Sequence, residues 1–116
     1  VDGVKLMVPA IQRDLDKGAV RALVDRNRKR LKSGVIIQWA EQDDRVHVTV
    51  SVSKDLIPPL HAGTIVKELA GLVGGRGGGK ADLAEAGGRR AGDLETARQS
   101  SIAVAREAIR SARAAR

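Results

Sequence analysis

Hydrophobic and polar residues alternate without interruption over residues 46–52, VHVTVSV. In a strand, the four valines of this segment point to one face and the polar residues between them point to the other. The preceding run, VIIQWA at residues 35–40, is apolar on both faces, which is typical of a strand covered on both sides. Because the polar residues 41–45, EQDDR, lie between the two segments, the pattern predicts a β-hairpin with a loop of four or five residues.

A shorter strand is predicted near the start of the chain. Residues 4–8, VKLMV, form an apolar run that Pro9 stops, as is typical of a strand near a sheet edge. Pro58 and Pro59 prevent the sheet from continuing after the hairpin. Trp39 lies in the doubly apolar strand, and we expect it to belong to the core.

Apolar residues recur at helical spacing in three stretches of the chain. The first helix is predicted between Val20 and Leu31, with Asp14 or Asp16 as its N-cap and Gly34 at its end. The apolar positions of the two later helices are Ile65, Val66, Leu69, Leu72 and Val73, and Leu94, Ala97, Ser101, Ala105 and Ala108.

The predicted elements follow the order β-α-β-β-α-loop-α, with a further short strand expected at residues 83–86. Asp93 is the predicted N-cap of the third helix, whose apolar side carries small residues that allow close docking. We therefore expect a single domain over residues 1–116 of the α/β (α+β) class. Its small mixed sheet would contain a β-hairpin and be flanked by about three helices.

The glycine-rich segment 74–88, GGRGGGKADLAEAGG, is the most unusual part of the sequence. Seven of its fifteen residues are glycine, and Arg76 and Lys80 stand on either side of three consecutive glycines. Glycine allows positive φ and lets a phosphate approach the backbone N–H groups closely. The segment therefore predicts a loop that cradles a polyanion, and the alternative is a flexible turn between two packed elements.

The net charge of +7 is distributed unevenly over the 116 residues. Residues 13–32 include eight basic and three acidic residues, and residues 89–116 include seven basic and three acidic residues. In contrast, residues 33–88 include five basic and seven acidic residues. Two basic segments around a near-neutral middle indicate a phosphate-rich partner such as a nucleic acid. An anionic membrane is not expected as a partner, and basic solvated helix faces remain the alternative explanation. Because Trp39 is the only aromatic residue, the chain has no set of aromatic side chains on which bases could stack. A bound nucleic acid would therefore be recognised by its sugar-phosphate backbone and its overall shape.

Catalytic chemistry has no visible basis in the sequence. The chain has no cysteine and two isolated histidines, His47 and His61, which do not suggest a metal centre. Residues 74–81 match the outline of a P-loop, but Ala81 cannot hold magnesium and a helix is predicted before the glycines. We therefore expect a noncatalytic domain without a bound cofactor. No apolar run is long enough to span a bilayer, and we expect a soluble, cytoplasmic protein.

Residues 74–88 resemble the signature G-G-[KR]-G-G-G-[KR]-x-D-x-A-x-x-G-G of the C-terminal domain of alanyl-tRNA synthetases. VSKD at residues 52–55, AG at residues 62–63 and the hydrophobic hairpin also lie where that family has them. The wider superfamily is the DHH-associated domain, which also occurs in DHH phosphoesterases. Those enzymes usually have a histidine after the three glycines, where this chain has Lys80.

The resemblance implies a domain that packs on the elbow of an alanine-accepting tRNA, where the D and T loops meet, and that helps one tRNA serve aminoacylation and editing. The further implied partners are the upstream synthetase domains, which would use ATP, magnesium and zinc, and a coiled coil that would permit dimerisation. The residues that the resemblance and the charges assign to tRNA binding are Gly74, Gly75, Arg76, Gly77, Gly78, Gly79, Lys80, Gly87, Gly88, Arg89 and Arg90.

Two alternative functions remain open at this point. One is the substrate-recognition domain of a DHH phosphoesterase, for which Lys80 in place of histidine is unfavourable. The other is a protein–protein interaction module, for which the small residues of the third helix would supply the docking face.

Overall fold

The computed structural model describes residues 3–89 and 94–114. Within these ranges six strands form one mixed sheet, and in chain order they are β1 (Leu6–Met7), β2 (Gln12–Arg13), β3 (Val35–Gln42), β4 (Arg45–Val52), β5 (Arg76–Gly79) and β6 (Leu83–Arg89). Across the sheet the order is β1-β3-β4-β6-β5, and β2 also pairs with β3. β1 and β2 run parallel to β3, whereas the other neighbours are antiparallel. The expected mixed sheet is confirmed.

Helices cover both faces of the sheet. They are α1 (Lys17–Leu31), α2 (Ala62–Gly71) and α3 (Leu94–Ala114), and a short 3-10 helix spans Lys54–Leu56. α1 packs Val20 and Val24 against Ala40 on one face. α2 and α3 pack on the other face, where the alternating valines of β4 and the buried Trp39 of β3 form the main core. This two-sided cover confirms the interpretation of residues 35–40.

The β3–β4 hairpin is confirmed, but its loop is shorter than predicted. Gln42 pairs with Arg45, so Asp43 and Asp44 alone form the turn. Asp43 adopts a φ of 56°, which aspartate tolerates better than most residues. Residues 41, 42 and 45 are polar although they belong to the ends of β3 and β4, so polarity alone suggested a longer loop.

The ends of α1 are partly as expected. Asp16 is the N-cap, and its Oδ1 accepts a hydrogen bond from Ala19 N at 2.8 Å. Gly34 is not the end of the helix, because Lys32 takes the left-handed φ of 63° and its N–H donates to Arg28 O. Gly34, with a φ of 148°, instead leads the chain into β3.

The prediction of a loop at the three consecutive glycines was wrong. Residues 76–79 form edge strand β5, which pairs antiparallel with β6, and the strand expected at residues 83–86 is a longer one. The two-residue strand β2 was also missed, since it is too short to show alternation. The order in the described ranges is therefore β-β-α-β-β-α-β-β-α. The proposed cap Asp93 lies outside them.

The small-residue side of α3 is confirmed as a packing surface. Leu94, Ala97, Ser101 and Ala105 are buried within the domain, together with Ile109. Since these positions contact the rest of the domain, they are not free to dock another protein.

Candidate nucleic-acid interface

The glycine strand β5 pairs with β6, and the turn that follows it is bonded to the start of α2. Ala62 N donates to Ala81 O at 2.8 Å, and Gly63 N donates to Lys80 O at 3.2 Å. The next amide, Thr64 N, donates to Nδ1 of His61. These three amides of the first turn already have partners, so the α2 N-terminus does not present them to an anion.

Four of the glycines are required by close packing. An added Cβ would overlap Gly87 O at position 75 and Ala86 at position 77. It would lie 2.8 Å from Ala84 Cα at position 79, where φ is also 154°, and 2.7 Å from Val73 O at position 88. These glycines let β5, β6 and the segment after α2 approach each other, and their role in tRNA contact remains a prediction.

The other three glycines of the predicted site have room for a side chain. An added Cβ at Gly78 would meet only Lys67 Cε, at 3.6 Å, and one at Gly87 would meet Val46 O at 3.7 Å. Gly74 has open space, but its φ of 61° favours glycine. Gly78 and Gly87 are therefore the positions where close packing does not explain the absence of a side chain.

Arg76 is the first residue of β5, Lys80 directly follows its last residue, and both are exposed. At about 3.4 Å per residue, their Cα atoms stand about 14 Å apart. The two cations therefore lie along an extended edge and not within a compact loop. Their role in tRNA binding remains a prediction.

A groove of about 890 Å³ lies between the start of α1 and the hairpin end of the sheet. Its cationic lining residues are Lys17, Arg45, Arg76 and Arg89. The structure thus brings two predicted residues, Arg76 and Arg89, into one concave surface. Lys17 belongs to the predicted basic segment 13–32. Arg45 was missed as a candidate, although the onset of valine alternation directly after it was a usable signal for its place at a strand end.

Acidic residues of the same groove are largely engaged. Arg21 binds Oε1 of Glu85, with Nη2 at 2.5 Å and Nε at 3.0 Å. Glu41 forms an ion pair with Arg13. Among the described residues, no ion pair includes any of the four lining cations.

His47 lies half-buried in this groove, next to Thr49. Its Nε2 is 3.2 Å from Thr49 Oγ1. Burial lowers the pKa of His47, Glu85 opposes that change, and Lys17 and Arg21 add to it. The imidazole is therefore biased toward its neutral form.

The family of the chain follows from comparison with known proteins. A family model described as the DHHA1 domain matches residues 3–107. The chain belongs to the DHHA1 domain family.

Relatives of this DHHA1 domain confirm the resemblance to alanyl-tRNA synthetases. It is 42% identical over 109 residues to the alanine–tRNA ligase of Anaeromyxobacter dehalogenans, covering 94% of this chain and 12% of that protein. It is also 42% identical over 98 residues to the Bacillus subtilis enzyme, covering 84% and 11%. The domain thus spans about a tenth of these relatives.

A solved structure supports the fold of this DHHA1 domain. The C-Ala domain of Aquifex aeolicus alanyl-tRNA synthetase superposes with a TM-score of 0.77 at 24% identity. The alignment covers 89% of this chain and 92% of the other. The α+β architecture of the two domains is therefore the same.

The remaining predicted residues of the DHHA1 domain lie apart from the groove or outside the described ranges. Arg90 is outside them. Arg106 and Arg110, which belong to the basic segment 89–116, are exposed on α3, on the opposite side of the sheet from α1. Over residues 3–89 and 94–114, no group of three or more His, Asp or Glu side chains suits a metal ion, and no helix is long and apolar enough to cross a membrane.

Proposed function

We propose that this domain is the tRNA-binding C-terminal module of an alanyl-tRNA synthetase. It would dock on the elbow of an alanine-accepting tRNA and so help the parent enzyme couple aminoacylation with editing. Family membership and the alanine–tRNA ligase relatives support the parent enzyme. The domain itself supplies affinity and position rather than catalysis.

The observation that carries the binding role is the composition of the exposed edge strand β5. Arg76 and Lys80 stand at its two ends, and Gly78 between them leaves the backbone bare where a side chain would fit. A polyanion backbone running along the strand could contact both cations and approach the glycine closely. A packed edge with no ligand requires none of these features.

The interaction would depend on backbone and shape rather than on bases. Trp39, the only aromatic residue of the chain, is fully buried and cannot stack on a base. Phosphate contacts to folded RNA are sensitive to the overall shape of the molecule. This agrees with recognition of the tRNA elbow, a feature of tertiary structure.

The test is a titration of the chain with three RNAs of equal total charge at several salt concentrations. The RNAs are folded tRNA, a tRNA whose D and T loops cannot pair, and a plain duplex. We expect tRNA to bind most tightly, with a log–log salt slope of about −0.9 for each phosphate contact. The control variant Lys5→Gln removes an exposed cation outside both basic segments and should bind as the wild type does.

The double variant Arg76→Gln, Lys80→Gln should bind tRNA more weakly and with a shallower salt slope. Equal affinity for all three RNAs would contradict elbow recognition. Unchanged binding by the double variant would contradict the role of β5.

A further inference from the structure

Arg45 and Arg89 lie directly opposite each other at the hairpin end of the β4–β6 pair. Like charges at directly opposed positions of an antiparallel sheet repel each other and destabilise the pairing. Both side chains are exposed, and neither takes part in an ion pair among the residues that the structure describes. The folded domain therefore keeps this pair at some cost to its stability.

A third arginine joins the pair through the sheet register. Two residues further along the sheet, on the same face, His47, Gly87 and Arg76 form one row of paired positions across β4, β6 and β5. Adjacent rows on one face are about 7 Å apart. Because Gly87 has no side chain, the space between Arg76 and the Arg45–Arg89 pair is not filled from the central strand.

Three of the four acidic residues that line the groove are already engaged by other groups. Arg21 already binds Glu85, and Arg13 already binds Glu41. Asp16 accepts the Ala19 amide as the cap of α1. Lys17 adds a fourth cation from the α1 side, whereas Asp43 in the hairpin turn is the remaining acidic lining residue. Together with Arg13 and Arg21, which bind Glu41 and Glu85, the cations around the groove still exceed its acidic residues.

We propose that Arg45, Arg89 and Arg76 form a binding site for phosphate groups, and that its occupant is the phosphodiester backbone of RNA. This proposal rests on the proposed function and extends the interface from strand β5, with which it shares Arg76, to the α1 face of the sheet. The planar guanidinium group binds phosphate oxygens in pairs, which suits it to this role. The groove volume of about 890 Å³ exceeds the size of one phosphate and fits a short length of backbone.

The test uses the double variant Arg45→Gln, Arg89→Gln in the 116-residue chain. We expect its tRNA affinity to fall at least tenfold and its salt slope to decrease by about 0.7–0.9 per lost contact. Its melting temperature without RNA should rise, since the repulsion is removed. Lys5→Gln is the matched control, because that exposed cation lies at the other end of the sheet, beside the start of β3.

A charge reversal at one position separates binding from folding. In Arg45→Glu, the new carboxylate would face Arg89, so the domain should melt at a higher temperature and yet bind tRNA more weakly. A domain that melts earlier and binds tRNA normally would show that the arginines have only a structural role, and would overturn the proposal.

Sodium tripolyphosphate serves as a second probe that contains no RNA. It should raise the melting temperature of the wild type more than that of the double variant. If the wild type binds tRNA and the double variant binds it equally well, this site is wrong and the proposed function stands. If the wild type fails to bind tRNA but tripolyphosphate stabilises only the protein with both arginines, the proposed function is wrong and the phosphate site stands. Failure of both probes overturns the site.

Discussion

The indole N–H of Trp39 donates a hydrogen bond to the hydroxyl of Ser101 at 3.0 Å. Both residues are fully buried, and they join strand β3 to helix α3 across 62 positions of the chain. The Ser101 hydroxyl in turn donates to Arg98 O at 2.5 Å. The small residue on α3 therefore provides both close packing and the partner that a buried indole requires.

We expect Ser101→Ala to lower the free energy of unfolding by about 1–3 kcal/mol, because it leaves the buried Trp39 N–H without a partner. Urea denaturation measures the change. The double variant Trp39→Phe, Ser101→Ala provides the control, since phenylalanine has no N–H to satisfy. If Ser101→Ala costs the same in both backgrounds, the hydrogen bond does not account for the loss.

Arg98 of α3 should anchor the N-terminal segment. Its Nη2 donates to Val8 O at 2.6 Å and its Nε to Pro9 O at 2.9 Å. Hydrogen bonds from a charged donor contribute about 1.5–3 kcal/mol each, so Arg98→Ala should destabilise the domain by at least about 2 kcal/mol. Hydrogen exchange at the amides of residues 4–8 should accelerate most. Arg110→Ala, on the exposed side of the same helix, should leave both measurements nearly unchanged.

Gly77→Ala and Gly78→Ala form a matched pair on β5. The added methyl group at position 77 would overlap Ala86, so we expect a loss of about 1–3 kcal/mol of stability. At position 78 the nearest atom is Lys67 Cε at 3.6 Å, and the stability should change by less than about 1 kcal/mol.

For tRNA binding the order should reverse. Gly78→Ala should weaken affinity substantially while the melting temperature hardly changes, because the methyl group keeps RNA from the backbone. Melting curves and tRNA titrations of both variants provide the measurements. Normal affinity of Gly78→Ala would mean that this glycine does not serve the interface.

His47 should contribute to the pH dependence of stability. Burial lowers its pKa in the folded domain below the ordinary value of 6.5, so the unfolded chain takes up the proton more readily. The stability linked to His47 is therefore fully present above about pH 6.5 and falls as the pH is lowered through and below that value. Melting temperatures at about pH 7.5 and about pH 5.5 should differ less in His47→Gln than in the wild type. An equal difference in the two proteins would exclude His47 as the source.

The strands with strong side-chain patterns could be predicted from the sequence, and the glycine strand could not. β4 was predicted from the alternation of valine with polar residues, and its burial agrees. β5 has no such pattern, because three of its four residues are glycine. β5 can pair with β6 because its glycines have no Cβ atoms that would overlap Ala84 and Ala86. This requirement can be recognised only when the pairing of the two strands is known.

The candidate site shows the same limit in another form. Arg76 and Arg89 were predicted from charge and resemblance, but the place of Arg45 beside Arg89 depends on strand register. Register is fixed by how two strands meet, so nothing in the order of residues brings positions 45 and 89 together. The hydrogen bonds from Arg98 to Pro9 O and Val8 O join residues that are 89 and 90 positions apart in the chain. The sequence does not predict them, for the same reason.

The bonds from Ala62 and Gly63 to the carbonyls of Ala81 and Lys80 have a mechanical consequence. They tie the turn after β5 to the first turn of α2, so this turn cannot swing outward unless the helix start also opens. A ligand that displaces Lys80 must therefore also displace the first turn of α2, because the two are joined by these bonds. The turn after β5 and the first turn of α2 should therefore unfold locally as one cooperative unit. The amide hydrogens of residues 62, 63 and 80 should then exchange with solvent at a common rate.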